Sequence, residues 1–196
     1  LAIGIGRTNV QKMVNGFLKY KLMKQKNSSS SPVTITLISQ FNTITEEDRL
    51  RSLNNFDRYG RFENRLSYFS QMAIARKFNE KFSLQCSPML VHHNLVELNA
   101  DQNTIWALGF AGRYKISKRV AITGEYTSTL NKYSNSIQYK NPLSVGFDIE
   151  TGGHVFQLFF TNAFNLNEAQ FVPYTTHDWS KREFRLGFNV SRVFGL

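Results

Sequence analysis

The feature that most constrains this chain is an alternation of residue type with a period of two. In nearly every segment the residues at either the odd or the even positions, which we call one parity, are large and apolar, and the residues at the other parity are small or polar. In residues 104–116 the apolar parity carries Trp106, Leu108, Phe110, Tyr114 and Ile116. The opposite parity carries Ala107, Gly109, Ala111, Arg113 and Lys115. Side chains of a β-strand point alternately to two faces, so the pattern predicts strands with one apolar and one polar face.

About ten segments of this kind follow one another along the chain. They are Leu1–Arg7, Gly16–Lys24, Val33–Thr43, Arg65–Phe78, Phe82–Val91, Thr104–Ile116, Val120–Leu130, Leu143–Glu150, His154–Asn162 and the last segment from Phe184 to Leu196. Short connections (27–32, 79–81, 117–119 and 151–153) alternate with long polar ones (45–64, 96–103, 131–142 and 164–181). This order is typical of an antiparallel up-and-down membrane β-barrel, with the long loops at one end and both chain ends at the other.

The composition of the polar face favours a membrane barrel over a soluble one. A soluble barrel also alternates, but its outer face is rich in long charged residues. Here the polar parity consists mainly of Gly, Ala, Ser, Thr, Asn and Gln, which suits a crowded, wet interior. No stretch approaches the roughly 20 apolar residues of a membrane helix. We therefore predict an all-β transmembrane barrel formed by one domain over residues 1–196.

Several residues test which face meets lipid. Aromatic residues toward the ends of the apolar parity predict interfacial girdles: Tyr20, Tyr68, Tyr114, Tyr126 and Phe194. Arg76 and Arg192 lie on the apolar parity but close to the short-turn end, where an arginine can extend to lipid headgroups. Pro88 lacks a backbone N–H, so we expect a bulge or strand irregularity at residues 87–89.

A mixed-sign set of charged residues with a basic excess is predicted to point into the lumen. A channel would use such residues as a selectivity lining, whereas a narrow barrel would pair them as salt bridges that fill its interior. The sequence leaves both alternatives open. The candidates are Lys19, Lys21, Arg65, Lys77, Arg113, Lys115, Glu125, Asp148, Glu150 and Arg185.

Other kinds of chemistry receive little support. The net charge of +10 is scattered over strands, turns and loops, so no nucleic-acid partner is predicted. The lone Cys86 supports neither a disulfide nor a cysteine-based metal cluster. Adjacent His92 and His93 would point to opposite strand faces and could not chelate together. We predict no metal and no cofactor.

The segment HDWSKRE contains His177, Asp178 and Ser180, the residue types of a hydrolytic triad. Residues so close in sequence rarely reach triad geometry, and no serine lies in a nucleophile-elbow motif. The sequence therefore predicts that the protein is not an enzyme.

Seven runs of the chain are distinctive: IGIGR (3–7), NGFLKYKL (15–22), IARKF (74–78), LVHHNLVE (90–97), GRYKISKRV (112–120), FDIETGGHVFQLFFTN (147–162) and GFNVSRVF (187–194). Together they resemble a family of uncharacterised, domain-of-unknown-function outer-membrane β-barrel proteins from Bacteroidota and related bacteria. The resemblance covers nearly the whole chain and implies an outer-membrane location. It also implies about two further strands before Leu1, hence about twelve in all, and it implies no activity.

Two functional hypotheses follow from these observations. The first is a small porin-like channel of the bacterial outer membrane with a polar, basic-leaning lumen. The alternative is a non-conducting anchor that binds a protein partner through its long loops or its periplasmic face. The loops at 45–64 and 164–181 mix apolar residues with charges, as binding surfaces do. Both hypotheses make the lipid bilayer the principal partner.

Overall fold

The computed structural model describes residues 1–26, 31–47, 58–98, 100–133 and 137–192. Ten strands form one antiparallel sheet in which each strand pairs with the next along the chain. No helix among these residues is long and apolar enough to cross a membrane. The strands are β1 (Ala2–Arg7), β2 (Val14–Met23), β3 (Thr34–Thr43), β4 (Leu66–Lys77), β5 (Phe82–His93), β6 (Thr104–Lys115), β7 (Val120–Thr129), β8 (Leu143–Thr151), β9 (His154–Thr161) and β10 (Arg185–Arg192).

Helical structure in the described part of the chain is confined to the connections. The α-helix α1 spans Glu168–Tyr174, between β9 and β10. Short 3-10 turns cover Val10–Lys12, Phe62–Arg65 and Trp179–Lys181. We call the end of the sheet that carries the connections after β1, β3, β5, β7 and β9 the loop end, and the opposite end the turn end.

The strands lie where the alternation predicts them, with small differences at their ends. Arg65 belongs to a 3-10 turn, so β4 begins at Leu66. The strand after the first predicted segment begins at Val14, two residues earlier than predicted. Phe194, one of the five candidates for the aromatic girdles, lies outside the described residues.

β1 and β10 form the two edges of the sheet, and the described residues show no pairing between them. The all-β, antiparallel, up-and-down order that the sequence predicts is confirmed. The further strands expected before Leu1 remain a prediction.

The apolar parity faces outward, as predicted. In β6 the side chains of Trp106 and Phe110 are 53% and 46% exposed, whereas the alternating Ile105 and Ala107 are 1% and 3% exposed. Tyr20, Tyr68, Tyr114 and Tyr126, which were expected in girdles, are all exposed on this outward face. A continuous exposed apolar face of this kind requires a non-aqueous environment.

Pro88 interrupts one ladder without shifting its register. The pairs Gln71↔Met89 and Ile74↔Cys86 share one register, and pairing lapses at Met72 and Ala73 between them. The expected irregularity is therefore a gap in the β4–β5 ladder and not a bulge, because β5 keeps its full pairing with β6, including Pro88↔Leu108. The register shift lies elsewhere, between Lys21 and Met23 in β2.

Candidate functional site

The inward face of β6 to β8 carries the best-defined charged cluster. The Nε of Arg113 donates to Asp148 Oδ2 at 3.0 Å, and its NH2 group donates to Glu150 Oε1 at 2.7 Å. Arg113 reaches across β7, where the small, fully buried Ala121 pairs with Asp148. Gln157 on β9 also donates to Asp148, at 3.0 Å. Three of the predicted lumen residues are thus brought together as a salt-bridged cluster.

Four predicted lumen lysines lie apart from this cluster. Lys19 pairs with Ile38, which packs against the buried core, so Lys19 lies on the inward face of β2. Lys21 lies two residues closer to the turn end and is exposed. Lys77 and Lys115 end their strands at the turn end, where Lys115 pairs with the inward Ala121. The lysines therefore run from the middle of the inward face toward the turn end.

Two predicted lumen residues lie at the loop end and contact loops. Arg65 donates from Nε to the carbonyl of Tyr59 at 2.7 Å and from NH1 to the carbonyl of Ile44 at 3.2 Å. Arg185, the first residue of β10, places its guanidinium 4.3 Å from the ring centroid of Phe164. Arg65 therefore holds the β3–β4 connection, and Arg185 contacts the β9–β10 connection.

The connection between β9 and β10 folds back against the inward face, and we call its residues 162–181 the plug. Its helix α1 is capped by Asn167, whose side chain accepts a hydrogen bond from the backbone N–H of Ala169. Ala169 and Val172 of α1 are 0% and 1% exposed. They share one buried cluster with inward residues of β4, β5 and β6, namely Phe69, Met89, Val91, Ile105 and Ala107.

Side-chain hydrogen bonds attach the plug to distant strands. Asn167 Nδ2 donates to Asn42 Oδ1 of β3 at 2.9 Å. Thr129 Oγ1 of β7 donates to the carbonyl of Val172 at 3.1 Å. Gln170 Nε2 donates to Gln11 Oε1, in the β1–β2 connection, at 2.9 Å. The plug is thereby bonded to three separate parts of the sheet and its connections.

A second set of contacts holds the later part of the plug beside β8. Trp179 Nε1 donates to the carbonyl of Leu143 at 2.9 Å. Lys140 Nζ lies 3.1 Å from Asp178 Oδ2. Hydrogen bonds from Ser180, together with Lys140, lower the pKa of the Asp178 carboxyl to about 2. Asp178 is therefore ionised at neutral pH, so it can accept hydrogen bonds from Ser180 and form an ion pair with Lys140.

Three tyrosines and a histidine pack beside α1 at the loop end. The rings of Tyr133 and Tyr174 stack with centroids 5.4 Å apart, and Tyr139 meets both rings edge-on. The Tyr133 hydroxyl lies 3.1 Å from Nδ1 of His93. Burial raises the pKa of Tyr133 to about 12 and raises that of Tyr174 as well. These phenols are therefore neutral, and the group extends the apolar packing of the plug.

Sequence reasoning treated 164–181 as an external loop and missed the plug. A signal was present, because inward positions near the loop end carry large apolar residues in place of small or polar ones. Phe69, Val91 and Ile105 occupy the parity that was expected to be polar, and each is at most 1% exposed. When both faces of a strand end carry large apolar residues, both faces are expected to be buried against other parts of the molecule or against lipid.

Two cavities lie on opposite sides of α1. The larger, of about 690 Å³, is lined by Glu168 and Phe171 of α1 and by inward residues of β4 to β9. The smaller, of about 250 Å³, is lined by Gln170 and Tyr174 and by the loop-end residues around Arg65. The plug thus separates a chamber within the sheet from a pocket among the loops.

The charged residues that line the larger cavity are mostly acidic. Arg113 and Asp148 belong to the salt-bridged cluster, and Glu125 and Glu168 add two further carboxylates. Burial raises the pKa of the Glu168 carboxyl, and the Glu125 carboxylate raises it further, while Lys19 acts in the opposite direction. Thr127, fully buried on the same wall, has a hydroxyl without a hydrogen-bond partner. Among the described residues, the charged and titratable groups of the chamber wall are therefore three carboxyl groups and one guanidinium.

The remaining candidate groups do not assemble into a metal or triad arrangement in the described part of the chain. No set of three His, Cys, Asp or Glu residues there could hold a metal ion. His92 contacts Thr104, and His93 contacts Tyr133 on the other face. Ser180 Oγ donates to Asp178 at 2.7 Å, while His177 Nε2 lies 3.3 Å from Arg185. Histidine therefore does not bridge the serine and the aspartate.

Comparison with known families gives one match, which covers almost the entire chain. Residues 1–194 match the family described as a membrane bound beta barrel domain, DUF5777. Comparison with curated proteins and with solved structures found no match. The match agrees with the ten-stranded antiparallel sheet and its exposed apolar face. The chain therefore belongs to the DUF5777 family of membrane-bound β-barrel domains.

Proposed function

We propose that this membrane barrel domain is a non-conducting anchor of the bacterial outer membrane, closed by its own plug, that presents its loop end to a protein partner. The observation that carries the proposal is the burial of the plug. Val172 and its neighbours Phe69, Val91 and Ile105 are no more exposed than residues of a soluble core. No catalytic role is assigned.

The energy of displacing the plug supports a closed resting state. Exposing Val172 alone costs about 1.5–3 kcal/mol, and each lost hydrogen bond to Asn42, Gln11 or Thr129 adds about 1 kcal/mol. These contacts are lost together when the plug leaves the inward face, which favours the closed state. Exposed apolar side chains at the loop end, among them Phe62 at 63% and Phe164 at 55%, offer a surface for a partner.

A gated pore is the second candidate, and the chamber of about 690 Å³ favours it. Its polar wall would serve a solute that enters once the plug moves. The acidic groups at the wall make cations the expected solutes of such a pore, whereas a basic-leaning lumen would select anions.

Conductance in planar bilayers separates the two candidates. The anchor predicts no steady conductance from the wild-type protein. Val172→Glu places a charge in the plug cluster and is expected to displace the plug. Leu130→Glu places the same charge on an exposed loop-end residue that lines neither cavity and serves as the matched control. Steady wild-type conductance would refute the anchor, and gated wild-type steps enhanced only in Val172→Glu would establish the pore.

Extraction in mild detergent tests the partner. A stoichiometric companion that is lost when the exposed Phe62 and Phe164 are replaced by Ser would support the anchor. Recovery of the barrel alone would count against it.

A further inference from the structure

The connections at the turn end carry almost exclusively positive charge. The segments 24–26, 78–82 and 116–119 contain five exposed cations and a single carboxylate, Glu80. The cations are Lys24, Lys26, Lys81, Lys118 and Arg119. By contrast, the β5–β6 connection at the loop end contains Glu97 and Asp101 and no Lys or Arg. These three turn-end segments therefore carry a net positive charge, and we call them the turn rim.

Hydrogen bonds join the turn rim into one continuous surface. The side chain of Gln25 donates to the carbonyl of Lys77 and accepts from its N–H, both at 2.8 Å, which joins the first connection to the second. The N–H of Lys115 donates to the carbonyl of Lys81 at 2.8 Å, which joins the second to the third. The three segments that carry the cations are therefore linked to one another and are not independent loops.

Arg76 lies where the turn rim meets the outward apolar face. It pairs with Leu84, which is 43% exposed on that face. Its guanidinium lies 5.1 Å from the ring centroid of Phe78, and Phe78 stacks on Phe82 with centroids 5.6 Å apart. Tyr114, which pairs with Phe82, is also exposed. An arginine among aromatic rings at the end of a lipid-facing surface lies at the depth of the headgroups.

The donors of Arg76 are available to a ligand. Among the described residues it makes a ring contact with Phe78 and no hydrogen bond or ion pair. A guanidinium presents several N–H donors in a plane, which match the oxygens of a phosphate. The ring of Phe78 lies beside the guanidinium and occupies none of its N–H donors by a conventional hydrogen bond.

We propose that Arg76, Phe78 and the turn rim form a binding site for the phosphate headgroup of an anionic glycerophospholipid. The apolar face below Arg76 contacts the acyl chains, Arg76 binds the phosphate, and the lysines of the turn rim select a net negative headgroup over a zwitterionic one. The charge complementarity of the rim and its continuity with the lipid-facing surface identify a lipid as the occupant. This inference is independent of whether the barrel conducts.

Lipid retention by the purified protein tests the site. The full chain is mixed in detergent with equal amounts of phosphatidylglycerol and phosphatidylcholine of matched acyl chains, and bound lipid is counted by native mass spectrometry. We expect phosphatidylglycerol to be retained about fivefold more, since each cation near an anionic headgroup contributes roughly that factor. Arg76→Gln should lower the retention of both lipids, because both carry the phosphate that Arg76 binds, whereas Arg76→Lys should retain part of the binding. Replacing Lys81 and Lys118 together by Gln should instead reduce the preference for phosphatidylglycerol.

Arg61→Gln is the matched control, because Arg61 is an exposed arginine of the loop end. Folding of every variant is checked by heat-dependent gel mobility, so that loss of lipid is scored only on folded barrels. Equal retention of the two lipids by the wild-type protein would overturn the proposal. An equal loss in Arg61→Gln and Arg76→Gln would also overturn it, because it would reflect net charge and not a site.

Discussion

Arg113 illustrates how a single inward charge is accommodated in this barrel. Its two carboxylate partners differ in environment, since the side chain of Asp148 is 10% exposed and that of Glu150 is 42% exposed. A buried carboxylate depends on its partner more strongly than an exposed one, because water cannot replace the lost hydrogen bonds. The two contacts should therefore differ in their contribution to stability.

Arg113→Gln should lower the free energy of unfolding by about 1–3 kcal/mol, because it leaves Asp148 without its cation. Glu150→Gln, as the control, should change it by less than about 1 kcal/mol. Urea unfolding in lipid vesicles measures both. Equal effects of the two substitutions would show that Asp148 is not the dependent partner.

Glu168 is a carboxyl whose ionised form is disfavoured by its place in the plug. Because its folded-state pKa is raised, the folded protein binds the proton more tightly than the unfolded chain does. When the pH is above the folded-state pKa of Glu168, its ionised carboxylate destabilises the folded protein in full. This destabilisation disappears as the pH falls through the folded-state pKa toward the ordinary pKa of a carboxyl group. Acidification across this window should therefore strengthen the seating of the plug.

Glu168→Gln should raise the melting temperature at neutral pH by about 2–4 °C for each 1 kcal/mol that it adds to the free energy of unfolding. The difference from the wild-type protein should shrink on acidification, because the wild-type carboxyl becomes protonated. Thermal unfolding followed by tryptophan fluorescence across the pH range measures this. A difference that stays constant with pH would contradict the assignment to Glu168.

At the scale of elements, α1 is a short helix that owes its existence to its surroundings. A helix of seven residues with Pro173 inside it is not stable alone in water. It is held by the Asn167 cap, by the buried faces of Ala169 and Val172, and by hydrogen bonds to strands far away in sequence. Removal of a single one of these contacts should therefore destabilise α1 while the strands stay folded.

Asn167→Ala removes both the helix cap and the hydrogen bond to Asn42, at a cost of about 1–3 kcal/mol local to the plug. We expect faster amide exchange over residues 167–175 and unchanged exchange in β4 to β7. Asn165→Ala, which changes an asparagine of the same segment outside these contacts, is the control. Loss of protection throughout the sheet would show that the plug and the strands unfold together.

The whole molecule is organised by which face of the sheet meets lipid. Phe110 lies in the middle of β6 on the outward face, and Ile116 follows the same strand at the turn end. A charge placed on the lipid face costs most at the bilayer centre and little at the interface. The free-energy cost of placing a charge at two outward positions of one strand therefore reports how deep each position lies in the bilayer.

Phe110→Arg should cost about 2–4 kcal/mol and reduce the yield of folded barrel in lipid vesicles, whereas Ile116→Arg should cost about 0–1 kcal/mol. Heat-dependent gel mobility of the refolded variants measures the folded fraction. Equal tolerance of the two substitutions would contradict the orientation of the sheet in the membrane.

Much of the fold could be predicted because alternation is a local property. Trp106, Phe110 and Tyr114 share a face by spacing alone, and the small residues between them must take the other face. The same reasoning placed Arg113 inward and Arg76 outward, as the structure does. It also placed Arg65 in a strand as a lumen residue, whereas the structure has Arg65 in a 3-10 turn, where its guanidinium donates to carbonyls of the preceding connection.

The sequence by itself determined the strands, their order and the face that meets lipid, because each follows from the period and the connection lengths of neighbouring residues. Only the tertiary structure decided that residues 162–181 pack against the inward face of the sheet. That contact joins groups such as Asn42 and Asn167, which are 125 residues apart, and no local pattern records which distant surface a loop will cover. The plug forms because Phe69, Val91 and Ile105 together leave an apolar surface that must be buried, and that surface exists only once three strands are side by side.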